Sequence, residues 1–152
     1  MVGSVTRQVF VKAPPARAFA AFVEVRDVLS WLADGAVIGG RVGGNWGLGW
    51  YADPDSDAGY NSIGTFETFE PERKFVVDAL VFSTPEGESF GPMKLTVELE
   101  EAPGGTLVTV LQEGLESSPS WDAYRDQLGP GWERMLGSLK AWLEEGRKLP
   151  GR

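Results

Sequence analysis

The chain carries little of the usual catalytic vocabulary. Neither cysteine nor histidine occurs among its 152 residues. That removes thiol nucleophiles, disulfides, the commonest general base and the commonest zinc ligand. Carboxylates, tyrosines, lysines and hydroxyls are left to move protons. Asp78 is the one charge inside the apolar run KFVVDALVF. On one strand parity it shares a face with Val76, Leu80 and Phe82, where burial would raise its pKa toward a working range. On the other, Phe75, Val77, Ala79 and Val81 face inward and Asp78 is wet, the more ordinary outcome for an aspartate. Asp78 and Glu113 are the candidate acids or bases. Arg7 shares a strand face with Val5 and Val9, which suits a partner for a cavity carboxylate.

Two further spacings imitate binding motifs and fail on context. In DPDSDAGY, Asp53, Asp55 and Asp57 occupy positions 1, 3 and 5 of a calcium loop. Ala58 stands where that loop requires glycine, and Gly64 where it requires a bidentate glutamate, so a solvated turn is expected and no metal. Gly47-x-Gly49-x-x-Ala52 has the outline of a dinucleotide fingerprint. DPDSDAG follows it, however, rather than a helix whose N-terminus could hold a phosphate. No cofactor is expected.

The elements that must position these residues follow from periodicity. VTRQVFVKAPP alternates as a strand and ends before two prolines. PPARAFAAFVEV then turns helical, with Ala18, Phe19, Phe22 and Val23 as its apolar face, and RDVLSWL makes a second short helix that stops at Asp34-Gly35. A run of about five or six strands follows, separated by DPDSDAG, EPER, TPEGESFG and APGG. Short turns between strands make an antiparallel meander. In PMKLTVELEEA, Met93, Leu95, Val97 and Leu99 alternate with Lys94, Thr96, Glu98 and Glu100, leaving one face dry and in need of a cover. The cover is GPGWERMLGSLKAWLEEG, whose Trp132, Met135, Leu136, Leu139, Trp142 and Leu143 form one helical stripe. Pro130 suits the first turn of that helix and Gly146 its C-terminal cap.

Bulk properties narrow the function. The length fits one domain, residues 1–152, able to bury roughly 70% of its unfolded surface. With 14 basic against 22 acidic residues the net charge is −8. Nucleic acid and anionic membrane surfaces need a basic footprint, so neither is expected as a partner. No stretch has the length or apolarity of a signal peptide or membrane span, which makes a cytoplasmic home the default and membrane insertion unexpected. Nine arginines against five lysines, with few amides, lean toward a bacterial source that is GC-rich or heat-tolerant.

VFVKAPPARAFAAFVEVRDVLSWL, VGGNW, GTFETFEPERKFV, GGTLVTVLQEGL and GWERMLGSLKAWL, in that order, resemble the successive blocks of the Bet v 1/START-like (SRPBCC) superfamily. In particular they resemble the activator of Hsp90 ATPase homologue 1-like (AHSA1-like) family. The resemblance implies an α+β helix-grip fold: a curved antiparallel sheet, two short helices and a long C-terminal helix enclosing a cavity. It implies a small apolar guest there, such as a lipid or polyketide. The alternatives are a cyclase or hydrolase working in the same cavity, or an Hsp90-type co-chaperone. The last fits least, because the namesake's activity depends on a further domain. A homodimer stays open. The closing strand departs from the family by carrying Gln112-Glu113 where histidine is frequent, so relatives with a cavity histidine are poor guides. On this fold the expected lining is aromatic: Trp31, Trp46, Trp50, Tyr60, Phe66, Phe82, Trp121, Tyr124 and Trp132, joined by Met93, Leu95, Met135 and Leu136.

Overall fold

The computed structural model describes residues 3–51 and 59–150. The chain runs β1 (Gly3–Val11), α1 (Pro15–Val23), α2 (Val25–Trp31), β2 (Gly35–Ile38), β3 (Asn45–Trp50), β4 (Tyr60–Glu70), β5 (Lys74–Ser83), β6 (Ser89–Ala102), β7 (Gly105–Leu115) and α3 (Pro119–Glu145). The seven strands form one antiparallel sheet in the order β1-β7-β6-β5-β4-β3-β2. β2 to β7 is a meander, and β1 pairs with β7 at the opposite edge. This is the helix-grip arrangement, a curved sheet with α3 across its concave face. Asp53, Asp55 and Asp57 of the acidic loop, and Ala52, lie outside the described residues.

Local sequence accounts for the short helices. Pro15 takes the first helical position of α1, where a missing N–H costs nothing. Ala18, Phe19, Ala21 and Phe22 are buried. α2 folds back so that the Trp31 indole N–H donates to the Ala21 carbonyl at 2.8 Å, and the ring meets Phe22 edge-on. Asp27 of α2 joins all three helices. It accepts from Arg17 of α1 at 2.7 Å and from the Trp142 indole of α3 at 2.9 Å.

β5 keeps neither strand parity throughout. Phe75 and Val77 are buried, Asp78 and Ala79 are both exposed, and Leu80 is buried again. A β-bulge causes the switch. Ala79 has φ of 52°, and the pairing with β6 jumps between Val77 and Leu80. Asp78 is therefore wet without Val81 becoming a core residue. Gly64 of β4 lies under the bulge, where a Cβ would stand 2.5 Å from Val77 Cγ1 and 2.8 Å from the Asp78 carbonyl oxygen.

α3 is longer than its sequence suggests. It begins at Pro119, behind the N-cap Ser118, whose hydroxyl accepts from the Trp121 amide at 3.1 Å, and Pro130 sits inside it. Proline cannot supply the hydrogen bond to the carbonyl four residues back. Pro130 and Asp126 both occupy the exposed face, where water can serve that carbonyl. The apolar stripe runs on through Trp121, Tyr124 and Leu128 to Trp132, at the spacing of three and four residues that keeps side chains on one face. Gly129 lets Arg7 cross the helix, since a Cβ there would collide with the guanidinium. Arg7 then reaches Glu133 at 2.9 Å, an exposed carboxylate of α3 and not one in a cavity. At the other end Gly146 makes the left-handed cap with φ of 65°. Glu144 ties the last turn to β1 by accepting from the Lys12 amide and from Lys140, each at 2.8 Å.

Candidate functional site

Among the described residues the aromatic contacts fall into two clusters. Phe19, Phe22, Trp31, Phe66, Phe69 and Phe75 interlock where α1 and α2 meet the sheet, and all but the half-buried Phe69 are buried there. At the other end a belt crosses from the sheet to α3. Trp50 and Tyr60 contact Phe82, Phe82 contacts Tyr124 at 5.2 Å, and Tyr124 stacks on Phe90 at 4.8 Å. Trp46 belongs to the first cluster through Phe66 and Phe75, yet also borders the open space beyond. It is the partition between packed core and void.

That void is a cavity of about 960 Å³ between the sheet and α3. Of the residues expected from sequence, Trp46, Trp50, Tyr60, Phe82, Leu95, Tyr124, Trp132 and Met135 line it. Five others lie elsewhere. Trp31 and Phe66 are spent in the packed cluster, where helix and sheet approach closely. Leu136, one position along α3 from the lining Met135, turns into the core. Met93 lies beneath Gln112. Trp121 braces the belt from behind, edge-on to Phe90. Sequence reasoning passed over Phe90, Leu80, Leu128 and Gln112, all of which border the cavity.

Gln112 is the polar centre of the wall. It is buried on β7, and its side-chain carbonyl accepts from the Trp132 indole N–H at 2.9 Å. Its amide nitrogen donates to the Tyr124 hydroxyl at 3.0 Å and to Met93 Sδ at 3.2 Å. One side chain thus fixes two aromatic residues of α3 against the sheet. Burial pushes the Tyr124 hydroxyl up to about 12, and the hydrogen bond from Gln112 only partly offsets this. The hydroxyl therefore stays protonated across any physiological range.

The candidate carboxylates lie away from this centre. Asp78 is exposed at the bulge, and Glu113 follows Gln112 on β7 with the opposite parity, so it faces solvent. A carboxylate suited to acid–base chemistry in the cavity would be desolvated, and both of these are exposed. The cavity mouth does carry acidic groups, Glu86 and Glu88 on the β5–β6 turn, while no lysine or arginine lines the cavity among the described residues. Nor, among the described residues, do three or more Asp or Glu side chains converge as a metal site. Gly47 and Gly49 are paired strand residues between β2 and β4, without a helix N-terminus beside them. No described helix is long and apolar enough to cross a membrane.

Solved structures share this architecture. A protein from Rhizobium leguminosarum superposes with a TM-score of 0.77 at 22% identity, covering 95% of each chain. One from Mesorhizobium loti gives 0.73 at 16% identity, over 93% of this chain and 97% of the other. The Aha1 dimer from Colwellia psychrerythraea, determined in solution, gives 0.70 at 16% identity, over 95% and 98% of the two chains. No curated protein matches. At these identities the structures attest the fold. A sequence profile reaches further, matching residues 12–144. On that match, which spans all the secondary structure from the first proline turn to the last turn of α3, the chain belongs to the activator of Hsp90 ATPase homolog 1-like family.

Proposed function

We propose that this protein binds a small apolar molecule in the cavity between the sheet and α3. The observation that carries the reading is the division of the aromatic residues. One cluster packs ring against ring in the core, while the belt of Trp50, Tyr60, Phe82, Phe90 and Tyr124 borders about 960 Å³ that the chain's own side chains leave open. Pockets for small molecules have this character: roughly 300–1,000 Å³, mostly apolar, with a few placed polar groups. Binding would draw on burial of apolar ligand surface, at about 25 cal/mol per Å².

Native mass spectrometry on freshly purified protein, followed by denaturation and identification of what is released, tests this directly. A discrete apolar adduct is the expected result. Ser62→Phe supplies the control. Ser62 is a half-buried β4 residue on the cavity wall, where phenylalanine suits the strand but occupies the space. The variant is expected to fold and to lose at least tenfold in adduct occupancy. Equal occupancy in both proteins would place the guest elsewhere. The family's name refers to the Hsp90 ATPase. On the present reading, adding this protein leaves the Hsp90 ATPase rate unchanged.

A further inference from the structure

The two halves of α3 are held unequally. Beyond residue 131 the helix is fixed to the rest of the chain at several points. Trp132, Leu136 and Leu139 are buried. Lys140 donates to the Phe10 carbonyl and Glu144 accepts from the Lys12 amide, each at 2.8 Å, and the Trp142 indole reaches Asp27 at 2.9 Å. Between residues 119 and 127, by contrast, no residue is buried. Arg125 donates at 3.2 Å to the Glu116 carbonyl, in the connection that precedes the helix. Among the described residues, the one side-chain hydrogen bond between this stretch and the sheet runs from Gln112 to the Tyr124 hydroxyl, at 3.0 Å. Ring contacts of Trp121 with Phe90, and of Tyr124 with Phe82 and Phe90, add to that attachment.

The boundary between the halves is Gly129-Pro130-Gly131. Glycine and proline are the poorest helix formers. Pro130 gives no N–H to the Asp126 carbonyl, so the helical ladder lacks a rung there. The flanking glycines admit backbone angles that other residues resist. Gln112 spans the boundary, holding Tyr124 before it and Trp132 after it. The loosely held half is also a wall of the cavity. Pro119, Ser120, Ala123, Tyr124, Gln127 and Leu128 line it, together with Glu86 and Glu88 of the β5–β6 turn.

We infer that Gly129-Pro130-Gly131 is a hinge, and that residues 119–128 are a lid that lifts from the sheet to admit the guest. The hydrogen bond from Gln112 to Tyr124 is its latch. The lid's role rests on the binding reading above, and the hinge stands without it. Lifting breaks the latch and parts Tyr124 from Phe82 and Phe90, while Trp132 stays on Gln112. A freed segment of about ten residues is too short to keep its helix in water, so each opening exposes its amides.

Hydrogen exchange on the whole protein, read by peptide mass spectrometry, tests the hinge without a guest. Residues 119–129 are expected to exchange as one block, about tenfold or more faster than residues 132–145. Pro130→Ala supplies the missing donor at an exposed position and should slow the block about fivefold or more relative to residues 132–145. Tyr124→Phe keeps the ring, removes the latch and should speed the block about threefold on the same comparison. Gly137→Ala, beyond the hinge, controls for a stronger helix alone and should leave the block unchanged. One rate along all of α3, a gradual rise toward residue 119 as in end fraying, or an unmoved block in Pro130→Ala would each overturn the hinge.

Stopped-flow fluorescence with Nile red, a neutral apolar dye, tests the lid. Entry and exit should slow together in Pro130→Ala, leaving affinity within about twofold, and both should quicken in Tyr124→Phe. Unchanged dye rates beside a split exchange pattern would overturn the lid and give the guest another route. No dye binding, with no adduct in native mass spectrometry, would remove the binding reading and the lid with it, while the exchange pattern still decides the hinge.

Discussion

Gln112 shows how one side chain can decide a wall. Its three engaged contacts join Met93, Tyr124 and Trp132, so removing any partner strands a buried polar atom. Trp132→Phe keeps most of the ring volume but leaves the Gln112 carbonyl unmet. It is expected to cost about 1–3 kcal/mol in urea unfolding. Trp132→Ala adds a void to that loss and should cost more, about 3–5 kcal/mol, so the residue holds the fold as much as it meets a guest. Tyr124 offers a pH test. Burial pushes its pKa up to about 12 in the folded protein, from an ordinary phenol value of 10.0. The unfolded chain therefore releases this proton first. The contribution is intact below pH 10 and is lost as pH rises toward 12, by up to roughly 2–3 kcal/mol. Tyr124→Phe should flatten that part of the alkaline unfolding profile. At this scale the sequence was half legible. The alternation along β7 shows the inward parity of Val108, Val110 and Gln112, but it marks the glutamine only as a departure from a histidine. Its partners come from α3, and no spacing along one strand shows them.

Among the elements, alternation and turns predicted the meander because each strand's pattern is local. The bulge in β5 escaped, since two residues facing solvent in succession break a period-two argument without leaving a sequence mark. Only Gly64, across the ladder, hints at it. Gly64→Ala is expected to destabilise by about 1–3 kcal/mol through overpacking against Val77 and the Asp78 carbonyl, read as a lowered urea midpoint. Gly137 of α3 is the counter-case. A Cβ there meets nothing within 4 Å, so Gly137→Ala should raise stability by about 1 kcal/mol from helix propensity alone, with adduct occupancy unchanged. The start of α3 was missed because GPG reads as a boundary. Trp121, Tyr124 and Leu128 carry the stripe across it, and the tertiary packing of that face outweighs the proline.

For the molecule as a whole, composition and order of elements were enough to reach the fold, because the single dry sheet face and the single long apolar stripe had only each other to bury. They were not enough to say which rings fill space and which surround it, since that division depends on where α1 and α2 meet the sheet. A guest that binds only the folded chain should raise its stability by about 2.7 kcal/mol at a hundred times Kd. A thermal scan with and without the apolar molecule released from the purified protein would register this as a higher midpoint. The same division of rings has an optical consequence. Trp46, Trp50 and Trp132 border the cavity, whereas Trp31, Trp121 and Trp142 do not. Half of the tryptophans therefore border the guest while the other half stand away from it, so the chain's own fluorescence gauges occupancy without a dye.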